Sequence, residues 1–355
     1  MKEIALRSLK IGMCISSDIF NDLGNIILAK GTEITDRHLD YFTSHNIDHM
    51  FVEDQFGNLY ESVSPRIEAD DKFRNINAHY AQVLNQFKQI YFQAQNADAL
   101  QVNIDLVEKE LEPLIDELLH DNDILGSLRL VSFRESYHFT HAVNVCMLGA
   151  MLGKWLNLDR NTIQSIALAG LLHDIGKTQI LDALLNKVGP LTLEEKEILK
   201  THSKLGYEML KSNPEISKDV LAAILFHHER SDGSGYPSGI KEDQTPYLAR
   251  IIGVVDVFDA VTSDRVYKTG ISTFQAFSVL KDESFKGLDP AISEVFLSNI
   301  ASHFINNRVR LSNGESGEVV YVNRYALNRP LVKLNNGRFV DLSTDYSLDI
   351  DTVIK

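Results

Sequence analysis

Five histidines in the middle of the chain are of a type, and have neighbours, that suit metal binding. They are His141, His173, His202 and the adjacent His227 and His228. Imidazole nitrogen mixed with carboxylate oxygen, without thiolate, suits iron, manganese, zinc, cobalt or nickel better than a structural thiolate zinc site. A single histidine would more often be a packed or surface residue. The prediction of a metal site therefore rests on the five histidines taken together.

Three strongly apolar segments carry polar residues into the predicted interior. Residues 166–172 precede His173 and Asp174, residues 221–226 precede His227 and His228, and residues 251–258 contain Asp256. Burying a carboxylate or an imidazole is costly unless it finds a partner. A hydrogen-bonded network in the core would satisfy these groups, but a metal cluster explains all three segments better.

The motifs around these residues are similar to those of a known family. Residues 171–177 (LLHDIGK) resemble the signature of the HD superfamily of metal-dependent phosphohydrolases. Residues 227–237 (HHERSDGSGYP) and 249–268 resemble the extended motif of its HD-GYP subclass. An HD pair alone is a weak signal, whereas both motifs in order, between Tyr137 and Pro290, form a specific one.

The resemblance implies two divalent metal ions, iron or manganese, held by two overlapping sets of ligands. The first set is His141, His173, Asp174 and Asp256, and the second is Asp174, His202, His227 and His228. Two close ions that share a carboxylate can activate a bridging hydroxide for attack on phosphorus. The implied reaction is hydrolysis of cyclic di-GMP to linear pGpG, with slower conversion to GMP, and it needs no serine or cysteine nucleophile.

The resemblance also assigns roles around the substrate. Lys177 lies one helical turn after Asp174 if the helix continues. The resemblance makes it a phosphate contact that also assists the leaving group, and the alternative is a lysine that closes a helix. Arg265 and Lys268, three residues apart, would clamp the phosphates, and otherwise they form a surface pair. Gly235 would bring the backbone close to the ligand, with Tyr236 beside it.

Further residues in these motifs refine the prediction. Glu229 and Asp232 suit orientation of the ligands or of the loop better than metal ligation. Some family members hold a third metal through a glutamate at the position of Tyr137, so we expect two metals here. Val266 replaces a proline and affects only loop geometry. His138 is predicted to be a bystander.

Composition limits the remaining function classes. The 355 residues carry a net charge of −14, which disfavours binding to polymeric nucleic acid. Cys14 and Cys146 are the only cysteines, which fits buried thiols in a reducing cytoplasm. The amino terminus lacks the apolar stretch of a secretory signal. The apolar run 142–156 is too short for a membrane span and is predicted to be core.

The pattern of residues predicts a mainly helical HD-type catalytic core with a small β-containing domain at each end. Residues 1–64 mix β-like runs at 26–28 and 49–52 with a short helix starting near Thr35 and form an α+β module. Residues 65–307 form the helical catalytic domain. Residues 308–355 form an antiparallel β domain whose hairpins turn at Asn313-Gly314 and Asn336-Gly337.

Local signals mark individual helices of the core. Apolar residues recur at helical spacing from Val143 to Met151, and Thr192 and Glu195 form a capping box. Residues 251–258 suit a strand or a helix, and the resemblance favours a helix. The segment from Glu68 to His120 could pack between two subunits of a homodimer or cover the catalytic core.

Two other function classes stay open at this point. A non-catalytic effector protein could keep the fold, bind cyclic di-GMP and signal through its terminal domains. An enzyme of the same superfamily could act on a mixed cyclic dinucleotide or an ordinary nucleotide. The complete set of metal ligands favours catalysis, and residues 1–64 could receive a signal from a partner protein.

Overall fold

The computed structural model describes most of the helical region and the carboxyl-terminal strands. The residues described are 2–5, 19–20, 26–28, 32, 49–52, 71–95, 102–120, 137–185, 187, 189–263 and 273–354. The chain divides into two compact units, Met1–Arg66 and Ile67–Lys355. The domain boundaries after residues 64 and 307 stay predictions. Cys14, the helix near Thr35, and residues 265–268 with Arg265, Val266 and Lys268 lie outside the described residues.

The first unit contains two short antiparallel pairs of strands. Strand β1 (Lys2–Ala5) pairs with β4 (His49–Val52), and β2 (Ile19–Phe20) pairs with β3 (Ile26–Leu28). Both β-like runs predicted in this region are therefore strands.

The second unit is helical over most of its length. In chain order its helices are α1 (Asp71–Ala94), α2 (Ile104–His120), α3 (Tyr137–Trp155), α4 (Arg160–Leu172), α5 (Asp182–Leu185), α6 (Leu193–Lys200), α7 (His202–Leu210), α8 (Lys218–Phe226), α9 (Tyr247–Thr262), α10 (Thr273–Lys286) and α11 (Pro290–Ser302). A short 3-10 helix, Ile175–Gln179, follows α4. Residues 251–258 lie within α9, so the prediction of a helix there is confirmed.

Helix α3 lies at the centre of this unit. Every residue from Thr140 to Gly153 is buried, because α3 packs against α1, α2, α4, α9 and α11. Helix α6 begins with the predicted capping box, in which the Thr192 hydroxyl accepts a hydrogen bond from the Glu195 amide at 3.2 Å. A centre that is apolar on all sides isolates from water any polar side chain placed within it.

Helices α1 and α2 cover the core within one chain. Their buried faces include Tyr80 and Phe87 on α1 and Leu111 and Leu114 on α2, and both helices pack against α3. The segment from Glu68 to His120 was considered either as a contact between subunits or as a cover of the core, and the structure shows its helices α1 and α2 packed on the core.

The strands after the helices form one antiparallel sheet. Strands β5 (Arg308–Leu311), β6 (Ser316–Asn323), β7 (Ala326–Leu334), β8 (Phe339–Asp341) and β9 (Ile350–Ile354) are arranged in the order β8-β7-β6-β5-β9. Gly314 and Gly337 adopt φ angles of 87° and 85° in the two turns, which glycine tolerates best. Both predicted hairpins are confirmed.

This architecture confirms the predicted fold class, mainly helical with small β elements at both ends. Cys146 is a free, buried thiol inside α3, as predicted. Among the helices of the described residues, none combines the length and the apolar character needed to cross a membrane.

Candidate metal centre

Three of the candidate histidines lie where helices end or begin. His173 follows α4, His227 follows α8, and His202 begins α7 directly after α6. Helix ends leave backbone carbonyls without helical partners. Each Nδ1 lies 2.7 to 2.8 Å from the carbonyl oxygen three residues earlier. Because a carbonyl oxygen only accepts, each Nδ1 carries the hydrogen and each Nε2 is left with a lone pair.

These lone pairs face one another and a carboxylate. His202 Nε2 lies 3.2 Å from Asp174 Oδ1 and 3.4 Å from His227 Nε2, so acceptor faces acceptor. His173 Nε2 and Asp174 Oδ1 are buried and have no hydrogen-bond partner among the described residues. Buried acceptors that converge in this way are costly unless a cation lies between them. The residues therefore fit a divalent metal ion.

The ligand atoms form two clusters joined by one carboxylate. Within each cluster the atoms lie within 4.8 Å of one another; one comprises His141, His173 and Asp174, and the other His202, His227 and His228. Asp174 Oδ2 lies 3.6 Å from His141 Nε2, whereas the other carboxylate oxygen, Oδ1, contacts His202. Asp174 thus faces both clusters, as a bridging ligand would.

Asp256 lies beside the same centre, in the interior of α9. Its Oδ1 lies 3.1 Å from His141 Nε2 and 3.9 Å from His173 Nε2, and its Oδ2 lies 3.8 Å from His228 Nδ1. The structure therefore brings together all seven residues predicted as metal ligands.

Charges in the centre favour ionised carboxylates. Burial alone would raise the pKa of Asp174, but the ammonium group of Lys177 and nearby imidazoles hold it well below its usual range. Burial likewise opposes ionisation of Asp256, and a hydrogen bond from His141 helps to keep its pKa well below the usual range. Both side chains are in the form that binds a cation.

The imidazoles divide into two groups. Burial lowers the pKa of His202 to about 4 and holds the pKa values of His227 and His228 well below the ordinary value. Burial would also lower the pKa of His141, but Asp256 and Asp259 outweigh it and raise the pKa to about 9. In the metal-free protein at neutral pH, His141 therefore carries a proton that a metal ion must displace.

Metal binding to the metal-free protein is expected to strengthen as pH rises from 6.5 towards about 9, by up to about tenfold per pH unit. The sign follows because His141 must lose its proton first, and the dependence should level off above its raised pKa. Calorimetric titration with Mn²⁺ in two buffers of different ionisation enthalpy measures the released proton. Identical heats in both buffers at neutral pH would contradict the assignment.

Lys177 contacts Asp174 from a short 3-10 helix rather than from a continued α-helix. Helix α4 ends at Leu172, so the condition that this helix continues past Asp174 is not met. In the 3-10 helix Ile175–Gln179, side chains three residues apart eclipse, and Lys177 Nζ forms an ion pair with Asp174 Oδ2. The result places a cation at the edge of the metal centre.

The loop after α8 places an aromatic ring beside the second cluster. The ring of Tyr236 stacks on His228 with 4.6 Å between centroids and 29° between planes. At Gly235 an added Cβ would overlap the backbone of His228 and Glu229. The buried Glu229 carboxylate holds the loop by accepting from three backbone amides, those of Ser238, Gly239 and Ile240, at 2.7 to 3.1 Å. The Glu229 carboxylate thus orients the loop, and Glu229 is not among the residues of the two clusters.

Two polar residues beside the ligands were not predicted: Asp259, which contacts His141, and Asn144, which contacts Asp259. Asp259 Oδ2 accepts a hydrogen bond from His141 Nδ1 at 2.7 Å, and Asp259 Oδ1 accepts one from Asn144 Nδ2 at 2.9 Å. Each lies one helical turn after a predicted ligand, Asn144 after His141 and Asp259 after Asp256. That spacing was the available signal, because residues three apart share a helix face.

Tyr137 lies against the first cluster. Its ring stacks on His141 with centroids 5.1 Å apart and planes 22° apart. The neighbouring His138 contacts the Tyr137 ring at 6.0 Å. The position at which some family members place a glutamate is therefore filled by an aromatic ring.

Comparison with known proteins identifies the family and the fold. A profile of the HD domain family matches residues 104–292. The cyclic di-GMP phosphodiesterase PA4108 of Pseudomonas aeruginosa is 37% identical over 226 residues, covering 62% of this chain and 54% of that protein. A cyclic di-GMP phosphodiesterase of Thermotoga maritima is 37% identical over 177 residues, covering 49% and 48%. The chain spans about half the length of these curated relatives.

A solved structure shares the fold. Bd1817, described as a HDG"Y"P protein from Bdellovibrio bacteriovorus, aligns with a TM-score of 0.54 at 16% identity, covering 83% of this chain and 97% of that chain. Together with the profile match over more than half of the sequence, this confirms the predicted superfamily: the chain belongs to the HD domain family.

Proposed function

We propose that this chain is a metal-dependent phosphodiesterase that hydrolyses cyclic di-GMP to linear pGpG, with slower conversion to GMP. The observation that carries the proposal is the placement of Asp174 between two histidine clusters, with 3.2 Å from Oδ1 to His202 and 3.6 Å from Oδ2 to His141. Two relatives at 37% identity are named cyclic di-GMP phosphodiesterases, which supports the choice of substrate.

Two divalent ions would divide the ligands between them. His141, His173, Asp174 and Asp256 would hold one, and Asp174, His202, His227 and His228 the other. Such a pair, when bound, supplies Lewis acidity at a phosphoryl oxygen and lowers the pKa of a water molecule.

Side chains at the edge of the centre would position the substrate. Lys177 Nζ would donate a hydrogen bond to a phosphate or leaving oxygen in place of its present contact with Asp174. Tyr236, stacked on His228, would present its hydroxyl or ring to the ligand. Arg265 and Lys268 would clamp the phosphates from the segment after α9.

Anaerobically purified protein is expected to contain two iron or manganese ions per chain. Nitrogen and oxygen ligands suit these metals, and the Tyr137 ring fills the place of a third-site carboxylate. Elemental analysis of the same sample used for activity measures the ratio. Three ions per chain would contradict the role given to Tyr137, and none after reconstitution would contradict the whole site.

Arg265→Ala and Lys268→Ala are each expected to weaken cyclic di-GMP binding about ten- to a hundredfold and leave metal content unchanged, because each loses a charge-assisted phosphate contact. Titration under non-turnover conditions, with metal analysis in parallel, tests this. Lys281→Ala, at an exposed position on α10, is the control. Unchanged affinity in both variants would place the phosphate contacts elsewhere.

A substrate panel tests the proposed activity itself. Metal-loaded protein should open cyclic di-GMP faster than 3′3′-cyclic GMP-AMP, and should not hydrolyse ordinary nucleotides at a comparable rate. Binding of cyclic di-GMP without hydrolysis, in protein that carries both metals, would instead identify an effector protein. Preference for another compound in the panel would reassign the substrate.

We also propose the cellular setting of this activity. Two cysteines fit a cytoplasmic enzyme, and residues 1–64 would receive a signal from a partner protein. The homodimer considered for this chain is a separate question, which light scattering on the full chain answers.

A further inference from the structure

The Nδ1 atom of His141 has a different kind of hydrogen-bond acceptor from the Nδ1 atoms of the three histidines at helix ends. His141 lies inside α3, where backbone carbonyls accept hydrogen bonds from the helix itself. Its Nδ1 therefore needs a side-chain acceptor, and Asp259 on α9 supplies one at 2.7 Å. The direction in which His141 Nε2 points thus depends on a carboxylate from another helix.

The Asp259 carboxylate is itself held from the opposite side. Its Oδ1 accepts from Asn144 Nδ2 at 2.9 Å, and Asn144 Oδ1 accepts from the Tyr80 hydroxyl at 3.3 Å. A carboxylate only accepts, so the Asn144 amide nitrogen must face Asp259 and its oxygen must face Tyr80. Asn144 and Tyr80 are 5% and 1% exposed, so water does not compete for these bonds.

We infer that Tyr80, on α1, is a positioning residue for the metal ligand His141. The Tyr80 hydroxyl fixes the orientation of the Asn144 amide, the amide fixes the Asp259 carboxylate, and the carboxylate fixes the imidazole. Partners of metal-bound histidines of this kind tune metal affinity. The inference rests on the proposed metal centre and extends it to a helix that contributes no ligand.

Mn²⁺ binding to metal-free protein tests the inference without any substrate. Asp259→Ala is expected to weaken binding at the His141 site by about 10- to 100-fold. Tyr80→Phe removes one hydroxyl and should weaken it by about 2- to 10-fold. Tyr91→Phe removes a hydroxyl from the same helix, where the ring packs on Phe87 and Phe139, and should leave binding unchanged.

A double-mutant cycle separates positioning from general loss of structure. In an Asn144→Ala background the hydrogen-bonded chain is already cut, so adding Tyr80→Phe should have no further effect on Mn²⁺ affinity. The Nδ1 proton resonance of His141 in metal-free protein should shift in Tyr80→Phe and not in Tyr91→Phe.

Two results would overturn the inference. One is equal weakening by Tyr80→Phe and Tyr91→Phe, and the other is a Tyr80→Phe effect that persists in the Asn144→Ala background. Neither result depends on the identity of the substrate, so failure to hydrolyse cyclic di-GMP would leave this test intact.

Discussion

Asp174→Ala is expected to abolish hydrolysis and to remove bound metal from both clusters. The substitution deletes the carboxylate that faces both His141 and His202, and with it the one ligand that the two clusters would share. Loss of an outer partner typically costs about 10- to 100-fold in metal affinity or activity, so loss of a shared ligand should exceed about 100-fold. Elemental analysis and a cyclic di-GMP hydrolysis assay on one sample measure both effects.

His138→Ala is the matched control for this variant. His138 is the second residue of α3 and contacts the ring of Tyr137, and it belongs to neither ligand cluster. Its replacement should retain two metals and most of the activity. Equal loss in both variants would mean that ligands and bystander histidines cannot be separated as described.

Gly176→Ala is expected to destabilise the protein by about 3 kcal/mol or more and to impair metal binding. An added Cβ would overlap the carbonyl oxygen of His202 and the amide nitrogen of Gly206, which are backbone atoms of α7. Because the backbone of a helix cannot shift at one residue without moving its neighbours, α7 would have to move away from the 3-10 helix. That movement would separate His202 from Asp174. Urea denaturation and Mn²⁺ titration measure the two consequences.

Gly153→Ala provides a matched comparison within the same core. Its added Cβ would meet side-chain atoms of Ile163 and Ile166 at 3.0 and 3.3 Å, and these can adjust. The change also improves helix propensity inside α3. A Gly176→Ala variant no less stable than Gly153→Ala would show that the close approach of the 3-10 helix to α7 is dispensable.

Much of the fold could be predicted because its signals are local. The capping box at Thr192 and the Asn-Gly turns depend only on neighbouring residues, and the structure contains both. Whether α4 continues past Asp174 could not be predicted, because residues 171–177 carry no helix-stopping signal apart from Gly176. Gly176 acts through its fit against α7, which no local pattern reveals.

The residues of the candidate site likewise differ in whether the sequence alone reveals them. His173 and Asp174 stand out because charged or polar residues follow a long apolar run. Asn144 lies within a run predicted to be core and Asp259 follows an apolar run, but no local pattern indicates which side chain either of them contacts. Their contact with His141 and Tyr80 depends on how α1, α3 and α9 cross, and crossing geometry is a property of the packed core.

The metal ligands are spread along the chain, and this affects how much folded protein persists in a cell. The ligands come from five separate helical segments between His141 and Asp256, so an unfolded chain cannot present them together. Ions that bind only the folded chain stabilise it by mass action, about 2.7 kcal/mol at a free concentration one hundred times Kd. Such a difference can change the fraction of molecules exposed to proteolysis several-fold. The amount of this protein would then follow the supply of its metal, independently of how much is synthesised.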